Sequence, residues 1–188
     1  MCIRDRLGPP QARPAAHPAR RVGVRFSIEQ GLAVAPEVAI AAYANPAFYR
    51  DRPPGGDITI LEVTHHEDSG TRARIDVRYR FTGSVSAAVR AIIDPAKMSW
   101  VTRTDIDKDA RRTSFHILPD HYPDRLECSG SFRFAAGADG PGSTAMTIEG
   151  DLKVRAFLVG RTAEQIIVSG LRAYLVAEAA TLPGFNPT

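Results

Sequence analysis

The chain contains five histidines and two cysteines, the side chains from which zinc sites and thiol nucleophiles are built. The densest group is His65-His66-Glu67-Asp68. Adjacent strand residues point to opposite faces, so His65 and His66 do not converge on one ion. They read as the polar end of a hairpin. His116 alternates with Phe115 and Ile117, which puts it on an outer face, and His121 lies in a loop between Pro119 and Pro123. No histidine pair has the i, i+4 spacing of a helical zinc site, and no Cys-x-x-Cys occurs. The sequence therefore predicts no metal and no cofactor. Cys128 sits between Leu126 and Gly130 on an inward strand face, without an adjacent base or cation, and reads as a small hydrophobe. The glycines at 137, 140 and 142 separate two strands, not a strand and a helix, so no phosphate loop is expected. No residue is assigned a catalytic role.

A binding site is the better expectation. Tyr79, Trp100, Thr102, Thr104 and Tyr174 are polar-tipped side chains on otherwise apolar inward faces. Small-molecule pockets have this character, mostly apolar with a few polar groups. Phe115, Cys128, Phe132, Met146, Ile166 and Gly170 complete the expected lining. The competing reading is that the rings and threonines simply pack, with their polar atoms satisfied by backbone.

These residues need strands to hold them. Arg72–Phe81 alternates strictly: Ala73, Ile75, Val77, Tyr79 and Phe81 on one face, four arginines and Asp76 on the other. A slip of one residue would bury the arginines, so the register is fixed. That arginine face suits acidic headgroups, a partner or plain solvent, and Asp76 within it favours solvent. Alternation also marks residues 22–29, 98–106, 113–117, 126–134 and 145–155, and residues 58–66 are rich in Ile and Val. Asp68-Ser69-Gly70, residues 107–111 and residues 136–142 are hairpin-length connections. Connections so short require an antiparallel sheet, of about seven strands.

Helices are few. Pro36 starts a short one that ends at Tyr43 before Asn45-Pro46, and residues 47–52 form a second. Residues 86–93 are a third, stopped by Asp94-Pro95. The long one covers 157–182, with Val159, Ala163, Ile166, Ile167, Gly170 and Tyr174 inward and Arg161, Glu164, Gln165 and Arg172 outward. Gly170 in a helix interior suggests that something packs closely against it.

This order of elements, over residues 22–182, resembles the START-like (helix-grip, SRPBCC) superfamily. The junction from Leu152 through Leu158-Val159-Gly160 to Glu164 is similar to that of a bacterial family known only as a domain of unknown function. The resemblance implies an α+β fold in which a curved antiparallel sheet wraps around a long C-terminal helix. It also implies a cavity between them for an apolar or amphipathic small molecule, lipid- or polyketide-like. The shared junction carries packing residues and transfers no catalytic group.

Composition bounds the rest. At 188 residues, 44% hydrophobic and 24% charged, one globular domain is expected, over residues 21–184. The net charge of +3 misleads: residues 1–21 hold five arginines and one acid, and the remainder has 19 basic and 20 acidic side chains. No basic face for nucleic acid is expected. Residues 1–20 read as a disordered tail, and MCIRDR resembles a translated sequencing-adapter scar. One cysteine in the domain suits a reducing compartment, the cytoplasm. No run approaches the roughly 18 apolar residues of a membrane span. Oligomeric state is open. The leading expectation is a binding module. A cyclase- or dehydratase-type enzyme in the same cavity would need an inward acid or base, which the inward sets lack. A cavity-less interaction protein is the third possibility.

Overall fold

The computed structural model describes residues 23–50, 52, 56–90, 94–156 and 160–185. Seven strands form one antiparallel sheet: β1 Val24–Leu32, β2 Ile58–Asp68, β3 Arg72–Phe81, β4 Ser99–Asp107, β5 Arg112–Pro119, β6 Leu126–Ala136 and β7 Thr144–Val154. Their order is β1-β7-β6-β5-β4-β3-β2, so each strand after the first pairs with its successor and β7 closes onto β1. The short helices α1 Pro36–Tyr43 and α2 Ala47–Arg50 follow β1, and α3 Ala87–Arg90 follows β3. The long helix α4 spans Gly160–Thr181. The curved sheet with its C-terminal helix is the expected helix-grip arrangement.

Local chemistry accounts for the breaks. Pro36 occupies the first turn of α1, where its missing N–H costs nothing. The Asn45 side chain accepts from the Ala47 N–H at 2.9 Å and turns the chain into α2. In the β2–β3 hairpin the Asp68 carboxylate accepts from the Gly70 N–H at 2.9 Å, and Gly70 takes φ +89°. Glycine adopts that left-handed conformation without strain. Asp107 plays the same part for Ala110 between β4 and β5.

Gly130 and Gly150 face each other across β6 and β7. A Cβ on Gly130 would sit 2.7 Å from the Phe115 ring, and one on Gly150 would sit 2.6 Å from the Phe26 ring. The missing side chains let both rings lie against the sheet. Phe115, Met146, Ile148 and Leu152 are buried there, under α1 and α4.

α4 packs mainly against β1 and β7. Its buried side carries Glu164, Tyr174, Leu175, Glu178 and Ala179. Two expectations change here. Glu164 is buried, not outward, and its carboxylate accepts the backbone N–H of Val154 at 2.9 Å. Ile166 is 56% exposed, and Gly170 has nothing within 4 Å of its Cβ position. Both leave the inward face. The two glutamates disguised the true stripe, which runs Gly160, Glu164, Ile167, Leu171, Leu175, Glu178. By length and composition alone, Gly160–Gly184 is apolar enough to cross a membrane. In this fold that helix is the element the sheet grips. The junction residues 157–159 lie outside the described residues.

The outer sheet face is an ion-pair ladder. Arg74 pairs with Asp105 at 2.7 Å, Arg72 with Asp107 at 3.1 Å, and Arg78 with Glu62 at 2.9 Å. Arg103 lies across Asp76, at 3.1 Å from Nη2. Each of these arginines has an acid from its own or a neighbouring strand, as Asp76 suggested.

Candidate functional site

The inner face of β3 and β4 starts an aromatic wall. Tyr79 and Trp100 are register partners and stack at 5.8 Å with planes 16° apart. Tyr174, on α4, meets Tyr79 edge-on at 6.1 Å. Arg52 donates from Nη1 to the Tyr174 hydroxyl at 2.8 Å. The same nitrogen is ion-paired with Glu178, one turn further along α4. Tyr43, the last residue of α1, donates its hydroxyl proton to the other Glu178 oxygen. Tyr49 donates to the Tyr43 carbonyl at 2.9 Å, and the Arg52 guanidinium lies 3.9 Å above the Phe48 ring.

Side chains of Arg52 and Glu178 are 2% and 3% exposed. Two charges so deep are tolerable only when paired and hydrogen-bonded. Burial pushes the phenols of Tyr43, Tyr49, Tyr79 and Tyr174 above their ordinary range, and the Glu178 charge adds to the effect in each. All four stay protonated at neutral pH and can donate hydrogen bonds. Burial, then the Asp151 charge, pushes the Cys128 thiol up to about 12, which leaves it protonated and unreactive.

The sequence-predicted lining separates into three groups. Trp100, Thr102 and Phe132 are half-buried on the inner face. Tyr79, Thr104, Phe115, Cys128, Met146 and Tyr174 are buried, and of these Phe115 and Met146 are packed core. Ile166 and Gly170 lie outside, as described. The partly buried hydrophobics around the core also include Ile117 and Leu126 on the sheet and Ala163, Ile167 and Leu171 on the helix. Sequence reasoning missed Arg52 and Glu178. The available signals were Tyr174 and Glu178 at i, i+4 spacing on α4 and the aromatic pair Phe48-Tyr49 just before Arg52. The statement that inward faces hold no acid is therefore corrected: Glu178 points inward, with both oxygens engaged.

The histidines do not converge. His65 lies beside Glu67 at 3.3 Å, and a His66 ring nitrogen contacts the Ala44 carbonyl at 3.0 Å. Among the described residues no three His, Cys, Asp or Glu side chains are placed to hold a metal ion. A groove of about 580 Å³ lies among β4, β5, β6 and β7, with Arg103, His116, Ile117, Leu126, Cys128 and Lys153 in its walls.

A seven-stranded antiparallel sheet around a C-terminal helix, with an aromatic inner face, defines the helix-grip fold. Solved structures agree on the fold. An aromatase/cyclase, Zhui, from Streptomyces sp. R1128 matches at 14% identity and TM-score 0.56, over 85% of this chain and 93% of its own. A START superfamily protein from Mycobacterium smegmatis matches at 15% identity and TM-score 0.55, over 86% and 99%. Norcoclaurine synthase from Thalictrum flavum matches at 15% identity and TM-score 0.54, over 93% and 100%. Within that class, the chain belongs to the family described as protein of unknown function (DUF2505), whose model covers residues 27–183. No curated protein sequence matches it.

Proposed function

We propose that residues 21–184 form one binding module that holds an apolar or amphipathic small molecule between the sheet and α4. The observation that carries this reading is the half-buried apolar strip. Trp100, Ile117, Leu126 and Phe132 on the sheet and Ala163, Ile167 and Leu171 on α4 border the core, yet none is fully buried. Protein interiors close-pack such residues when nothing separates them. Each 100 Å² of apolar ligand surface covered there contributes about 2.5 kcal/mol before binding costs. The START-like fold of the structural relatives supports the same reading.

A cyclase or dehydratase in that space needs a free acid or base. The inward carboxylates are engaged, Glu178 by Arg52 and Tyr43 and Glu164 by the Val154 N–H, and the nearby phenols keep their protons. The chemistry on view positions and holds; it does not transfer protons at neutral pH. A cavity-less interaction protein is the remaining reading.

Titration with N-phenyl-1-naphthylamine, an uncharged apolar fluorophore, tests the proposal. Saturable binding at one site per chain is expected. Linear, non-saturating fluorescence would contradict it and favour the interaction reading.

A further inference from the structure

The Arg52 guanidinium is only half used. Nη1 serves Glu178 and Tyr174. Nε and Nη2 are buried and have no hydrogen-bond partner. These two nitrogens form one edge of the planar fork, with parallel N–H bonds suited to a single acceptor group. Buried donors left unpaired are rare in folded proteins and call for an explanation.

We infer that this edge anchors an uncharged oxygen acceptor, a ketone or similar carbonyl, on the apolar molecule held between sheet and helix. The inference rests on the binding reading above and specifies the ligand's polar end. Three features select this chemistry. Phe48 covers one face of the guanidinium at 3.9 Å, so a partner approaches in the plane, along the unpaired edge. Glu178 already balances the Arg52 charge. A second anion would stand uncompensated in the interior, whereas a carbonyl supplies lone pairs without charge. Finally, contacts run from Arg52 to Tyr174, Tyr79 and the half-buried Trp100, which gives the apolar body an aromatic wall beside the guanidinium. Both nitrogens are sealed from solvent, so the acceptor has to arrive on a molecule that displaces side chains packed there.

Calorimetric titration at pH 7 with 2-acetylnaphthalene, 2-ethylnaphthalene and 2-naphthoate tests the inference, because the three differ little in size. The ketone is expected to bind about tenfold tighter than the hydrocarbon, the worth of roughly one satisfied hydrogen bond. Arg52→Lys keeps a cation for Glu178 but removes the fork. It is expected to cut that preference below about twofold. If that variant fails to fold, Arg52→Gln/Glu178→Gln removes both charges together and is expected to lose the preference in the same way. Equal binding of ketone and hydrocarbon, or a preference that survives both replacements, overturns the anchor and leaves the binding module standing. Tightest binding by the naphthoate overturns the choice of a neutral acceptor. No binding by any of the three overturns the module and the anchor together.

Discussion

The two sides of this sheet use arginine in opposite ways. Outside, Arg72, Arg74 and Arg78 lie along acidic partners within reach of water, and Arg103 lies over the buried Asp76. Inside, Arg52 and Glu178 are sealed with four tyrosines nearby. Water screens the outer pairs, so each contributes little and the ladder chiefly keeps that face soluble and its register fixed. The inner pair has no solvent to fall back on, and removing one partner strands a charge. The same chemistry is surface dressing in one place and a structural constraint in the other. It ties α4 to the segment after α2, beside the proposed site.

The largest effect should come from breaking the inner pair. Glu178→Ala is expected to lower unfolding free energy by about 3–5 kcal/mol in chemical denaturation, because Arg52 stays buried alone. Loss under about 1 kcal/mol would mean that the pair is solvated. Next is Gly150→Ala, whose methyl would meet the Phe26 ring at 2.6 Å and the Ser129 carbonyl at 2.8 Å. A cost of about 1–3 kcal/mol is expected from that overpacking. Tyr43→Phe removes one hydrogen bond to Glu178 and should cost about 1–2 kcal/mol. Outside, Arg74→Ala should leave the denaturation midpoint unchanged within error; a shift as large as that of Tyr43→Phe would erase the contrast between the faces.

Cys128 adds a pH arm. Its thiol is pushed from an ordinary 9.0 up to about 12 by burial. The folded state thus holds this proton more tightly than the unfolded state. The associated stability is fully present below about pH 9 and is lost as pH rises toward about 12. At pH 8, iodoacetamide should alkylate Cys128 in the native protein far more slowly than Cys128 in the urea-unfolded chain. Equal rates would show an accessible thiolate.

The strands were legible because period-two alternation survives any tertiary context in which one face is wet. Arg72–Phe81 and Thr144–Val154 show it with scarcely an exception. The inward face of α4 was only partly legible. Hydrophobicity alone steered it toward Ile166 and Gly170, because Glu164 and Glu178 look like surface residues until their partners are known. Those partners, the Val154 backbone and Arg52, are far from the helix in contact terms that no local window samples: one caps the end of a strand, the other follows α2. Trp100 and Phe132 were placed on the inner face because alternation puts them there. Arg52 was missed because nothing local distinguishes it from the chain's other arginines.

The central claim is that an apolar molecule sits between the sheet and α4, and Trp100 can report on it directly. It is the chain's single tryptophan and lies on the inner face. Energy transfer from Trp100 to bound N-phenyl-1-naphthylamine should be saturable. Ile167→Glu, on the inner side of α4, should abolish it, and Val176→Glu, at a position 54% exposed on the outer side, should preserve it. Absence of saturable transfer, or an equal response of the two variants, would contradict the account.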